Sequence, residues 1–512
     1  MKYFFVTILL ALNTLVYPQK QKSLIPSTPS RAGDYFCTWN IQGYLSSYLS
    51  SPAQRAEMTG ANMFGHGKFQ NWVSFYPKIR KDMTFVMDDS WDIPVNEDSR
   101  DNQYLGMVEV NATRFPLFTG TPAGRMKKLV QAVKAAGWKG LGGWICAQEA
   151  PVAGTVDPKT YWTERLNTAN ESGFAYWKVD WGKQSRNADW RKMLTQLGRQ
   201  YAPNLVIEHA TDEHFISIGD AYRTYDVENI IAQPTTIARI AHVLKYKPTG
   251  DAKSIINCED EPYIAAGLGC AIGVMRHPFV GNLPNGTIDF VFPPVGRNLK
   301  LRLDEVVRGV RWHRIAEPFG IGSDNYQIDN QLLKDKWTVG YRDTWGSAKV
   351  GDTLKASAPA RVSRGLPLPL VSATDAARPF VLSSRYANGA IAIATIGRGL
   401  NHEYVTEKIT IEQHIPDINH PIGIFGDYAS LTLVLPQNIK ADDYKIWGQD
   451  LAGETPIDIT KKIIVQNNRI TLPGDVIRMV GLSAKTKGDL SDPGLVVKFI
   501  RINNHLKISK YL

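Results

Sequence analysis

At 512 residues, with 43% hydrophobic and 21% charged side chains, the chain has ordinary globular composition. That excludes wholesale disorder and leaves length for roughly two to four domains, or for one large barrel with a companion. The ten excess positive charges are spread along the sequence without a basic cluster, which argues against a nucleic-acid partner.

The first element is "MKYFFVTILLALNTLVYPQKQKS": a short basic start, an apolar run from Phe4 to about Val16, then polar residues. This is the layout of a secretory signal peptide, assigned to residues 1–22, and it is too short for a membrane span. No second apolar run of membrane length follows, so the expected product is an exported, periplasmic or extracellular soluble protein.

From residue 34 strand-like runs alternate with helix-like ones. Strands are expected at 34–40, 83–91, 140–147, 175–182, 204–210, 221–226, 253–260 and 271–279. Helices are expected at about 122–136, 160–172, 187–202, 229–246 and 303–315. In "PAGRMKKLVQAVKAAG" Pro122 stands near the start, Met126, Leu129, Val130 and Val133 share a face, and Gly137 marks the stop. Eight strands alternating with helices predict a (β/α)8 TIM barrel over residues 30–325. An open doubly wound sheet would want a Gly-rich nucleotide loop after its first strand, and none is present. Beyond the join near 320–340, segments such as "ANGAIAIATIGR", "SLTLVLP" and "LVVKFIRI" alternate apolar and polar residues between Asn, Gly and Pro. They predict a C-terminal antiparallel β-sandwich over 335–512.

Barrel enzymes carry their chemistry on the C-terminal ends of the strands. Here those ends hold Asp88 and Asp89, Trp144, Lys178 and Asp180, Glu208 and His209, Arg223 and Asp226, and Asp260. In "AYWKVDWGK" the two-residue period puts Tyr176, Lys178 and Asp180 on one face, with Trp177 and Val179 on the other. If that face looks into the barrel mouth, Lys178 lies beside Asp180 and favours its ionised form, the state of a carboxylate nucleophile. The structural alternative is an ion pair that only ties strands together. Cys37, Cys146, Cys258 and Cys270 show no metal-ligand spacing, and at least two are expected to be buried thiols. His66, His209 and His277 share no ligand spacing, and "HEYV" at 402–405 lacks a zinc site's second His. No metal or organic cofactor is expected.

Several stretches resemble the α-galactosidase superfamily, clan D of the glycoside hydrolases, and especially family twenty-seven. "YWKVDWG" is similar to its nucleophile strand, "CTWNIQGYL" to the first-strand Trp-Asn motif, and "FVMDDSWD" to the second-strand Asp-Asp-x-Trp. "RFPLFTGTPAGRMKKLVQAVKAAGWKGLGGW" resembles the segment leading into strand three, and "INCEDEPYIAAGLG" the late Asn-x-x-Asp segment. The likeness covers roughly residues 34–320, with the motifs in the family's order. The resemblance implies that Asp180 is the nucleophile and Asp226 the acid/base. It further implies that Lys178, Asp88, Asp89 and Arg223 hold sugar hydroxyls and that Trp39 and Trp144 wall the pocket. Glu208 matches the Glu of the family's Cys-Glu-Trp type loop, although "IEHA" alters its surroundings, and Asp260 joins the substrate-binding set.

Two departures bear on these roles. Arg and the acid/base Asp are usually separated by three residues in the family, but Arg223 and Asp226 are separated by two, and "GDAYRTYDVEN" offers Asp220 and Glu228 as rival acids. The family's disulfide partner after the nucleophile is replaced by Trp181 and Gly182. The expected function is that of an exported retaining exo-glycosidase on terminal galacto-configured sugars, with an oligo- or polysaccharide as partner. A β-L-arabinopyranosidase, an α-N-acetylgalactosaminidase and a non-catalytic carbohydrate-binding protein are the alternatives on the same scaffold. Retention requires nucleophile and acid/base to stand about 5–5.5 Å apart.

Overall fold

The computed structural model describes residues 21–224, 230–289, 297–322, 324–340, 348–372 and 377–502. Residues 1–20 of the expected leader, and the acid candidates Asp226 and Glu228, lie outside the described residues. No described helix is long and apolar enough to cross a membrane.

The chain first forms β1 (Tyr35–Cys37), three short helices α1 (Trp39–Leu45), α2 (Ser51–Ala56) and α3 (Gly60–Phe64), then β2 (Thr84–Met87). It continues through α4 (Pro122–Ala135), β3 (Gly140–Ile145), α5 (Pro158–Ser172), β4 (Tyr176–Val179), α6 (Ala188–Tyr201), β5 (Val206–His209) and β6 (Ala221–Arg223). The barrel ends with α7 (Ala232–Val243), β7 (Ile255–Glu259), α8 (Pro262–Leu268), β8 (Ala271–Val274) and α9 (Leu303–Trp312). All eight strands pair in parallel, and β1 closes the sheet on β8.

The strand period sorts side chains as a barrel requires. Phe36, Phe85, Leu141, Trp177, Val179 and Ile207 face outward and join the core shared with the helices. Tyr35, Cys37, Val86, Tyr176 and Met275 form a separate cluster inside the barrel. Two local expectations change. The segment 34–40 does not run as one strand: it stops at Cys37, and Trp39 opens α1, placing its ring at the barrel mouth. Helix α8 has no predicted counterpart because "PYIAAGL" is buried on every side and carries no helical stripe.

Beyond the barrel the chain builds an eight-stranded, a five-stranded and a four-stranded sheet. The strand Ile391–Ile396, "IAIATI", explains the stacking. Its Ile391 and Ile393 point into the core between the two larger sheets. Its Ala392 and Ala394 face the barrel helices, where a Cβ on Gly267 of α8 would stand only 2.9 Å from Ala394 Cβ. Small residues on both sides let helix and sheet approach closely. Arg308 of α9 then locks the two parts, its guanidinium on both oxygens of buried Asp450 at 2.9 and 3.1 Å.

The sandwich is mixed rather than purely antiparallel. Arg361–Arg364 pairs in parallel with Phe380–Arg385, Ile391–Ile396 with Ile422–Phe425, and Thr410–His414 with Ser430–Val434. Between the members of each pair the chain crosses to the opposite sheet, so it re-enters the first sheet in the same direction.

Candidate active site

At the C-terminal ends of the strands lies a cavity of about 160 Å³. Its side walls are aromatic: Trp39 from the start of α1, Trp144 from β3, and Trp181 just after β4. Trp181 reaches the mouth because the chain turns sharply behind it. Gly182 there adopts φ +149°, and a Cβ would stand 2.7 Å from the Ala147 backbone. The Trp181 ring packs at 5.3 Å from Trp144, with the guanidinium of Arg100 5.0 Å and that of Arg55 5.5 Å from its centre.

The charged residues form two groups. In the first, Lys178 Nζ donates to Asp88 Oδ2 at 2.7 Å, and the Cys37 thiol donates to the same oxygen at 2.8 Å. Next to it Arg55 Nε donates to Asp89 Oδ2 at 2.7 Å. Burial pushes Asp89 up to about 6 against the pull of Arg55. Burial works against the Lys178 charge as well, but the carboxylate of Asp88 beside it raises its proton affinity well above the ordinary lysine value. The sequence reading sets Lys178 beside Asp180, favouring its ionised form, and the Lys178 charge does pull the Asp180 carboxyl down; its direct ion pair, however, is with Asp88, which follows β2, two strands away.

The second group is built around Asp180. Its Oδ2 accepts from Trp144 Nε1 at 3.0 Å and lies 3.1 Å from Arg223 Nη2. Its Oδ1 accepts no hydrogen bond among the described residues. The backbone is pinned too: Arg191 Nη2 of α6 donates to the Asp180 carbonyl at 2.7 Å, and Asp180 N donates to Ile145 O at 3.0 Å. Burial pushes the Asp180 carboxyl up to about 6, with Lys178 and the Trp144 hydrogen bond pulling it down. At neutral pH it is mostly ionised, fixed in orientation, and holds spare acceptor capacity.

Trp39, Asp88, Asp89, Trp144, Lys178 and Asp180 all border this cavity. Glu208, Arg223 and Asp260 do not. Arg223 is fully buried beneath Asp180. Glu208 is fully buried inside the barrel, accepting from Tyr176 OH at 2.8 Å and Tyr35 OH at 3.4 Å, and burial pushes it up to about 8. Asp260 turns away at φ +51°, and its Oδ1 takes the amide of Met275 at 2.9 Å and Arg276 Nε at 3.3 Å. It braces the turn after β8. Asp220 precedes β6, so it sits at the opposite end of the barrel, bonded to Arg199 and to Ile207 N. That position removes it from the rival acids.

The sequence reading missed Glu259, Arg55, Arg100, Trp181 and Met275, all of which border the cavity. Glu259 was legible: it shares the inward parity of Asn257 on β7, whereas Asp260 lies one residue beyond the strand. Arg55 and Arg100 come from the connection around β2 and carry no local signal. All four cysteines are buried with no disulfide among them, and the described residues contain no cluster of three or more His, Cys, Asp or Glu able to hold a metal.

No family model matches the chain, and no curated protein sequence does either. Among solved structures, α-galactosidase I from Mortierella vinacea aligns over 92% of this chain and 96% of its own, at 12% identity and a TM-score of 0.38. An α-galactosidase from Saccharomyces cerevisiae aligns over 93% and 97%, at 10% identity and a TM-score of 0.34. A GH27 β-L-arabinopyranosidase from Geobacillus stearothermophilus aligns over 94% and 98%, also at 10% identity and 0.34. At these identities and scores the likeness to these proteins is one of architecture alone.

Proposed function

We propose that the protein is a retaining exo-glycoside hydrolase that removes terminal galacto-configured sugars, exported by its N-terminal leader. The observation that carries the reading is Asp180: a buried, mostly ionised carboxylate at a barrel strand end, oriented by Trp144 and Arg223 and bordering an aromatic-walled cavity. In this reading a pyranose lies between the tryptophans, with its hydroxyls on Asp88, Asp89 and Lys178. These groups offer both acceptors and a donor at fixed positions, and a polyol in a desolvated pocket needs both. Asp180 attacks the anomeric carbon while Asp226, by its place in the motif, gives its proton to the leaving oxygen. The same residue then activates the water that releases the sugar. The blind floor, filled beneath by Tyr35, Tyr176 and Glu208, favours a chain end over an internal sugar.

A panel of p-nitrophenyl glycosides tests this. Hydrolysis of the α-galactoside, with the α-anomer as first product by NMR, is expected. Release from β-L-arabinopyranoside alone would move the sugar assignment. No turnover on any member of the panel, with sugar binding intact, would leave a binding protein.

A further inference from the structure

Strand β7 delivers a carboxylate to this cavity that neither the sequence motifs nor the proposed chemistry uses. Ile256 and Cys258 face the helices, so Asn257 and Glu259 point inward. Glu259 borders the cavity, only 2% exposed, and its Oε1 lies 3.6 Å from Arg223 Nε. The other side of that guanidinium, Nη2, lies 3.1 Å from Asp180 Oδ2. Among the described residues this one cation thus stands against both carboxylates. The third carboxylate nearby, Glu208, stands 4.0 Å from Arg223 Nε, and burial keeps it protonated at neutral pH, so it competes little for the charge. Lys178 is ion-paired to Asp88, and its charge also acts on Asp180 and Glu259.

We propose that Glu259 is a positioning residue for the reaction at Asp180: it holds one side of Arg223 and so limits how fully that cation neutralises the nucleophile. The inference rests on the reading of Asp180 as nucleophile. A carboxylate ion-paired without competition loses basicity, and with it nucleophilic strength. The groups facing Asp180 come from the neighbouring elements: Lys178 on its own strand, Asp88 just past β2, Trp144 on β3 and the Cys146 thiol just past it, Glu208 on β5, Arg223 on β6 and Glu259 on β7, with Arg191 of α6 on its carbonyl. Of the cations, Arg223 is the one in direct contact with the Asp180 carboxylate among the described residues. Loss of the negative charge at 259 removes a repulsion and frees the guanidinium toward Asp180; both lower the pH at which Asp180 takes a proton.

The test is the titration midpoint of Asp180 in wild type and Glu259→Gln, read by NMR of carbon-13-labelled aspartate carboxyls, with Asp180→Asn assigning the resonance. The midpoint is expected to fall by about one pH unit in the variant, and the acid limb of kcat/KM to fall with it. Glu259→Asp, which draws the charge back by one methylene, should give a smaller fall in the same direction, and it serves where Glu259→Gln does not fold. An unchanged or higher midpoint in a folded variant overturns the proposal. Because the NMR midpoint needs no turnover, a lowered midpoint in a protein that hydrolyses no glycoside retains the coupling and rejects only the enzymatic reading.

Discussion

Replacing Lys178 by Met probes the charged floor most severely. The ammonium lies 2.7 Å from Asp88 Oδ2, with the two side chains 4% and 5% exposed. At an effective dielectric constant near 20 their gross attraction is about 6 kcal/mol, much of it offset by the desolvation of both ions. Removing one partner strands the other, so the variant is expected to lose about 3–5 kcal/mol of stability. The loss has a pH signature. Without Lys178 the buried Asp88 binds a proton more tightly in the folded chain than in the unfolded one, whose carboxyl titrates near about 3.9. The deficit is therefore full at neutral pH and shrinks as pH falls toward the unfolded value. Lys178→Met/Asp88→Asn, which removes both charges, should recover most of the loss. Urea unfolding of the three proteins at neutral pH and near pH 4.5 measures all of this. A Lys178→Met deficit under about 1 kcal/mol that does not change with pH would refute the buried-pair argument.

Two further predictions address single groups. In Trp144→Phe, Asp180 loses the hydrogen bond to its Oδ2, a charged-acceptor bond worth about 1.5–3 kcal/mol, so on the proposed chemistry the acid limb of kcat/KM should move up by about one pH unit or more relative to wild type. An unmoved limb would remove Trp144 from the orienting set. Glu208, pushed up to about 8, keeps a proton in the folded state that the unfolded chain gives up above about 4.3. The contribution of Glu208 to stability should therefore decline as pH rises from about 4.3 to 8 and level off above, and Glu208→Gln should remove that slope from the profile. Parallel slopes for the two proteins in urea unfolding from pH 5 to 9 would contradict the assignment.

The barrel was legible because its strands are short, buried and punctuated by helices with clear apolar stripes, such as Met126, Leu129, Val130 and Val133 of α4. The strand-end rule found Asp88, Asp89, Trp144, Lys178 and Asp180, and the structure brings these five together around one cavity. What failed was anything decided across the barrel or at a strand's last residue. Asp260 looked like a site group until its positive φ turned it onto Arg276, leaving inward parity to Glu259. The partner of Lys178 is 90 residues away, and no local pattern encodes that distance. Arg55 and Trp181 enter from a short helix and a loop, where only tertiary packing fixes direction. In the sandwich, alternation located strands such as Ile391–Ile396 but not their parallel pairing, which depends on the crossings between sheets.

The central claim is that Asp180 is the nucleophile, and covalent trapping tests it most directly. A fluorinated α-galactosyl fluoride that forms a glycosyl-enzyme faster than it hydrolyses should inactivate the protein with one sugar bound per chain. Peptide mass spectrometry should place that sugar on Asp180, and Asp180→Asn should neither label nor turn over substrate. A label on another carboxylate, or full activity in Asp180→Asn, would contradict the account.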